Sequence, residues 1–201
     1  MESRYKLLAE APRAERENDP LEEKTVGTKA LLDGNFVKIY RDEVTLPDGR
    51  QSFRVYLTHP GAAAMVALYK DGTILLERQW RHPLRRSFWE IPAGKLDPKE
   101  STLDCAKREL HEECGVEAQT WTYLGLMHTA IGYSSEAIAV YLAEDLSEGD
   151  QQLDPGEYLE VYRVPVKEAL AMAADGRITD VKTITALFWL EKHLQGRGGE
   201  E

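Results

Sequence analysis

Two hundred and one residues, 42 % hydrophobic and 30 % charged, suffice for one core-bearing domain, or for one domain with a small appendage. Twenty-five lysines and arginines against 35 aspartates and glutamates leave a net charge of −10, which argues against nonspecific nucleic-acid binding, because that rests on cationic neutralisation of phosphates. No apolar run approaches the roughly 18 residues of a membrane helix, and the N-terminal stretch MESRYKLLAEAPRAEREN is too polar for a secretion signal, so a cytoplasmic protein without a membrane partner is expected.

Residues 1–24 carry many charges and little apolar periodicity, which predicts a flexible N-terminal arm. Asn35 to Leu46 alternates imperfectly, Pro47-Asp48-Gly49-Arg50 is a strong turn, and Gln51 to Leu57 is again strand-like. Residues 35–58 thus read as a hairpin within a small β subdomain over 25–60, and Pro60-Gly61 ends it. The main domain spans 61–195. In it, Ala62 to Tyr69, a turn at Lys70-Asp71-Gly72, and Thr73 to Trp80 predict a second, more buried hairpin. Ser87 to Ile91 is a short strand before a tight turn at Pro92-Ala93-Gly94. Thr102 to Cys114 predicts a helix, capped by Ser101 and stopped at Gly115, where a left-handed residue is wanted. Strands follow at Trp121 to Thr129, Ala137 to Leu142 and Tyr158 to Val164. Helices at Val166 to Ala174 and Asp180 to Leu194 precede a frayed tail over 196–201. The order implies a mixed sheet with helices on its faces, an α/β fold.

The helix carries both cysteines. Cys105 and Cys114 fall about 13 Å apart along its axis, on roughly opposite faces, beyond the roughly 7 Å that a disulfide spans. Two reduced thiols acting as small hydrophobes are expected. Leu103, Ala106, Leu110 and Cys114 form one apolar stripe. Glu109 and Glu113 lie one turn apart along its border, and Glu112 shares the last turn. Like charges at this spacing repel, and the C-terminal end of a helix disfavours anions, together about 1 kcal/mol of local strain. Arg108 can pair with Glu112 but lies off the Glu109/Glu113 stripe. One interpretation is a solvated acidic face. The other is a site for a hard divalent cation, which takes oxygen ligands and cancels the repulsion; the position beside the core favours it.

The segment Gly94 to Val116, GKLDPKESTLDCAKRELHEECGV, resembles the Nudix box, G-x5-E-x7-R-E-U-x-E-E-x-G-U, where U is bulky and aliphatic. Gly94, Glu100, Arg108, Glu109, Leu110, Glu112, Glu113, Gly115 and Val116 occupy its specified positions. Further likeness to the ADP-ribose pyrophosphatase branch extends over about 34–195: Gly34-Asn35-Phe36, Arg78-Gln79-Trp80-Arg81, Trp89-Glu90-Ile91-Pro92-Ala93-Gly94, and Gly176-Arg177-Ile178-Thr179-Asp180. The resemblance implies an α/β/α sandwich with a mixed sheet, plus a small N-terminal antiparallel sheet that mediates homodimerisation. It also implies Mg²⁺-dependent hydrolysis, with Mn²⁺ as a substitute, of ADP-ribose or a related nucleoside diphosphate sugar to AMP, or the corresponding nucleoside monophosphate, and a sugar phosphate.

Pyrophosphate repels an incoming hydroxide, and metal ions neutralise that charge and activate water. Glu109 and Glu113 are the first choices as ligands, with Glu112 in the same cluster. The resemblance adds the Ala93 carbonyl as a ligand and assigns Glu100, Arg108, Gly94 and Gly115 to bracing the loop and helix. It makes Glu136, in the loop Ile131 to Glu136, the base or a ligand of a metal-bound water, with Glu112 and Glu113 also in the catalytic set; a loop glutamate taken alone is only a solvated charge. Arg81 is the best phosphate ligand in a basic island of Arg78, Arg81, His82, Arg85 and Arg86. Glu90 is placed with Arg81 at the substrate. Phe36 either stacks on adenine or is buried by a neighbouring strand, and the resemblance has Phe36 and Arg54 lent to the partner's site. Trp80 and Trp89 are expected in the core. Relatives in this branch carry Pro-Gly where this chain has Ile131-Gly132, so GDP-mannose, another such sugar or a dinucleotide stays open as substrate. A non-catalytic ADP-ribose sensor is the rival of another class, and the intact motif weighs against it.

Overall fold

A computed structural model describes residues 19–197, which divide between Leu57 and Thr58 into two compact units. Most of the expected N-terminal arm, residues 1–18, and the end of the tail, residues 198–201, lie outside the described residues. No described helix is long and apolar enough to cross a membrane.

The first unit is a three-stranded sheet in the order β1 (Lys24–Asp33), β2 (Lys38–Thr45), β3 (Gln51–Thr58). The Pro47-Asp48-Gly49 turn closes as its sequence requires, Gly49 N–H donating to Leu46 C=O at 2.8 Å. β1 pairs antiparallel with β2 and extends the expected hairpin to a three-stranded sheet. β1 is exposed at nearly every position and so shows no alternation that would mark it. The unit buries little: Val44 is covered, and Tyr40 and Tyr56 stack at 5.9 Å.

The second unit is built on a four-stranded sheet in the order β7 (Ala93–Lys95), β4 (Ala62–Ala67), β9 (Ala137–Glu148), β8 (Val116–His128). β4 runs parallel to β9 and antiparallel to β7, so the sheet is mixed. Both faces of β4 are covered. Ala63, Met65 and Ala67 pack with Cys105, Ala106 and Leu110 of α1 (Thr102–Cys114). Ala62, Ala64 and Val66 pack with Ala169 and Met172 of α2 (Val166–Ala174) and with Ala186, Leu187 and Leu190 of α3 (Val181–Arg197). This is the α/β/α sandwich. A second, antiparallel sheet has the order β10 (Leu159–Pro165), β5 (Thr73–Arg81), β6 (Arg86–Glu90).

Three local expectations are corrected. Tyr69 to Gly72 does make a tight turn, but β4 and β5 diverge into different sheets beyond the single bridge Leu68–Ile74, so they form no hairpin. Ala93 and Gly94 are not a turn but β7, paired with Ala64 and Ala63. α3 runs through Gly196 and Arg197, which the frayed tail was expected to include.

α1 has the expected boundaries. Ser101 accepts the Asp104 amide at its start, and Gly115, at φ 64°, turns its end.

Candidate active site

β7 passes beneath α1, and the alanines of the sheet face let the helix come close: Ala63 is fully buried and Ala139 is 2 % exposed. A Cβ on Gly94 would lie 1.7 Å from Glu109 Cδ and 2.3 Å from its Cγ. Only a glycine fits beneath that side chain. One residue earlier, Ala93 N–H donates to Glu113 Oε2 at 3.0 Å. Two carboxylates one helical turn apart are thus seated on two consecutive backbone positions of one strand.

The seat is dry. Glu113 is 3 % exposed, and burial, then Glu77, Glu109 and Glu157, pushes its pKa well above the carboxylate range. Burial also raises Glu109, against the opposing pull of Arg108. Glu77 on β5, absent from the sequence-based candidates, is 2 % exposed and accepts the Cys114 thiol at 3.3 Å. Its burial raises it too. Nothing local in the sequence marks Glu77, since only the pairing of β5 brings it here.

Arg108 organises the rest of the box. Its Nε and Nη2 donate to Glu100 Oε1 and Oε2 at 2.9 and 3.0 Å, and Nη2 also donates to Lys95 C=O at 3.1 Å. Those bonds hold Glu100 down to about 2. Nη1 reaches both Glu109, at 2.7 Å, and Glu112, at 2.9 Å. Although Arg108 lies off the Glu109/Glu113 stripe, its side chain reaches Glu109 and relieves part of the repulsion there. At the helix end, a Cβ on Gly115 would meet Gly149 O at 2.7 Å. The next residues cap the helix: Gln152 N–H donates to Glu112 C=O at 2.9 Å, and Gln151 Nε2 to Glu113 C=O.

Beside this seat, β5, β6 and α3 meet in a second charged cluster. Arg81 donates from Nε and Nη2 to both oxygens of Glu90, each at 2.7 Å. Lys182 Nζ donates to Glu90 Oε2 and to Asp180 Oδ2. Asp180 also accepts Thr183 N–H and Oγ1–H, at 3.0 and 2.6 Å, and so caps α3. Thr183 Oγ1 in turn accepts Ile91 N–H at 2.9 Å. The structure therefore places Arg81 and Glu90 on each other. The expected basic island is divided: Arg78 pairs with Glu160 at 2.9 Å, and strand alternation puts it on the face of β5 opposite Arg81. Arg86 lies 4.5 Å over the Phe88 ring. Trp80 is 55 % exposed, which corrects its assignment to the core, whereas Trp89 packs against the core and edge-on to Tyr162 at 4.9 Å.

Glu136 ends the loop between β8 and β9. Thr129 Oγ1 donates to its Oε2 at 2.7 Å, and its own N–H donates to Ser134 Oγ at 3.1 Å. His59 Nδ1 stands 3.7 Å from Glu136 Oε1 and accepts Gly61 N–H at 3.1 Å. Gly94, Ala63 and Ala139 form one row across the sheet. Glu136 lies three residues before Ala139, roughly 10 Å along the strand from that row. Phe36 and Arg54 belong to the first unit. Phe36 is 49 % exposed rather than buried by a neighbouring strand, and Arg54 pairs with Glu23.

The NUDIX domain family matches residues 58–187, the unit that holds α1 and its glutamates. The chain belongs to that family, the Nudix hydrolases. It is 38 % identical over 173 residues to an ADP-ribose pyrophosphatase of Bacillus subtilis (strain 168), covering 85 % of this chain and 94 % of the relative. It is also 38 % identical over 172 residues to a methanol dehydrogenase activator of Bacillus methanolicus, covering 85 % and 93 %. The crystal structure of an ADP compounds hydrolase shares the fold, with a TM-score of 0.79 at 22 % identity over 88 % of this chain and 96 % of that one.

Nudix hydrolases generally use divalent metal ions. The residues here fit one. Glu109, Glu112 and Glu113 are hard oxygen donors, the setting that suits Mg²⁺, and the buried Glu113 sits among Glu77, Glu109 and Glu157. Among the described residues they are not drawn together into a ready-made metal cluster. Arg108 holds Glu109 and Glu112 while the Ala93 amide holds Glu113.

Proposed function

We propose that this Nudix hydrolase cleaves the pyrophosphate link of ADP-ribose, releasing AMP and a sugar phosphate, with Mg²⁺ as its ion and Mn²⁺ as a substitute. The observation that carries it is the seating of Glu109 and Glu113 on Gly94 and Ala93. The substrate is supported by the 38 % identity to an ADP-ribose pyrophosphatase over most of both chains.

In this proposal Glu109, Glu112, Glu113 and the Ala93 carbonyl hold the ion, which supplies charge neutralisation at the pyrophosphate. Arg108 and Glu100 keep the helix and its preceding loop in register. Arg81 takes a phosphate oxygen. Glu136, set back along the sheet, orients the attacking water and accepts its proton. The water oxygen bonds to phosphorus as the bridging P–O bond breaks, and the bridging oxygen leaves with the second phosphate. Phe36 and Arg54 complete the site of a second copy in a homodimer. The half-exposed Phe36 and Phe53 support that role, because a small sheet with so little core needs cover.

The test is turnover on a panel of ADP-ribose, GDP-mannose, other nucleoside diphosphate sugars and dinucleotides, with Mg²⁺, Mn²⁺ or EDTA. The expected result is AMP from ADP-ribose at the highest kcat/KM, abolished by EDTA. A preference of about tenfold or more for another member, about 1.4 kcal/mol, would reassign the substrate.

A further inference from the structure

We propose that Lys182 is a positioning residue that releases Arg81 to the substrate: it holds the buried Glu90 carboxylate while the Arg81 guanidinium turns to a phosphate. The inference rests on the pyrophosphatase function proposed above.

Glu90 is 4 % exposed, and an ionised carboxylate at that depth requires a cation. It has two. Arg81 occupies both of its oxygens, and Lys182 shares Oε2. If Arg81 were the sole partner, moving it to a phosphate would strand a buried charge, and Glu90 would compete directly with the substrate. With Lys182 in place, the carboxylate stays paired when Arg81 leaves.

The two cations are not equally free to move. The Lys182 side chain is 10 % exposed and is tied to Asp180 Oδ2 at 3.0 Å, and Asp180 caps α3 through Thr183. Thr183 also holds the Ile91 amide, so the first turn of α3 is fixed to the end of β6. The carboxylates that face Lys182 are Glu90, Asp180 and, from β5, Glu77. Arg81 stands at the open end of β5 with its side chain 43 % exposed. It lines a cavity of about 260 Å³ with Leu84, Glu90, Thr179 and Asp180, which gives the guanidinium room to swing. The arginine therefore exchanges and the lysine stays.

Steady-state kinetics on ADP-ribose with Mg²⁺ test this in the full chain. Lys182→Met should raise KM at least about tenfold, with kcat within about threefold of wild type, because Arg81 is then retained on Glu90. Lys182→Arg should keep KM near the wild-type value. Adding Glu90→Gln to Lys182→Met should return KM to within about threefold of wild type, because Arg81 then has no carboxylate to serve. An unchanged KM in Lys182→Met, or a double variant as impaired as Lys182→Met, overturns the proposal. Should Lys182→Met show no cooperative melting, Glu90→Gln alone decides: a KM at or below wild type supports the proposal, and a rise of about tenfold contradicts it. Absence of wild-type turnover across the substrate panel would refute the proposed function. Normal wild-type turnover with an indifferent Lys182→Met refutes this inference alone.

Discussion

Glu113 and Glu136 stand in different surroundings, and the roles proposed for them differ accordingly. Glu113 is buried among other carboxylates and is pushed toward its neutral form until a cation arrives. Glu136 is half-buried beside a hydroxyl donor, in a loop that contains Gly132 and two serines. A group that orients and deprotonates water acts in the transition state, so its loss lowers kcat and leaves KM nearly unchanged. Glu136→Gln should lose about 10²-fold or more in kcat on ADP-ribose. A variant within a few-fold of wild type would make Glu136 a surface charge and return the base to Glu109, Glu112 or Glu113. The motif singles out Glu113, whereas Glu136 lies outside it and enters only through the family resemblance. Sequence reasoning left out Glu77, Lys182, Thr183 and the caps from Gln151 and Gln152, because each acts through a partner distant in the chain.

At the scale of elements, the site depends on how closely β7 and α1 approach. Glycine at 94 permits that approach, and the obstructing atoms for any larger residue belong to a side chain that can swing aside. Gly94→Ala should therefore cost only about 1 kcal/mol of stability. It should nonetheless lower kcat about 10²-fold, since an ångström of misplacement in a carboxylate proposed as a ligand suffices. Wild-type turnover in Gly94→Ala would show that the position of Glu109 is immaterial. The boundaries of α1 were legible because its cap, its apolar stripe and its terminal glycine are all local signals. The sheet was less so. The run from Ala62 to Ala67 announces a strand buried on both faces, but not that its partner is β9, more than seventy residues on. Local turn chemistry at Asp71-Gly72 favoured β5 instead, and burial against α1 and α3 prevailed.

For the whole molecule, Glu77, Glu109 and Glu113 are all raised by burial in the folded state. Groups of that kind stabilise the fold fully below their unfolded pKa of about 4.3, and the contribution is lost as pH rises. In EDTA, Tm should accordingly fall as pH rises above about 4.3, through about 7 for Glu77 and on toward about 10 for Glu113, and the gain from Mg²⁺ should grow over the same range, because binding displaces protons. A metal-free Tm that rises through that window would contradict the placement of these carboxylates. The proposed homodimer is tested by sedimentation at micromolar concentration: a fully active monomer would remove the role given to Phe36 and Arg54. The most direct measurement is AMP release from ADP-ribose by wild type and Glu113→Gln at matched Mg²⁺, with the melting temperature of each taken in EDTA. The expected result is a loss of about 10²-fold or more in kcat, together with a metal-free Tm equal to or above wild type, since glutamine removes a buried acid that the fold must hold protonated. A Glu113→Gln enzyme that keeps most of its activity would contradict it.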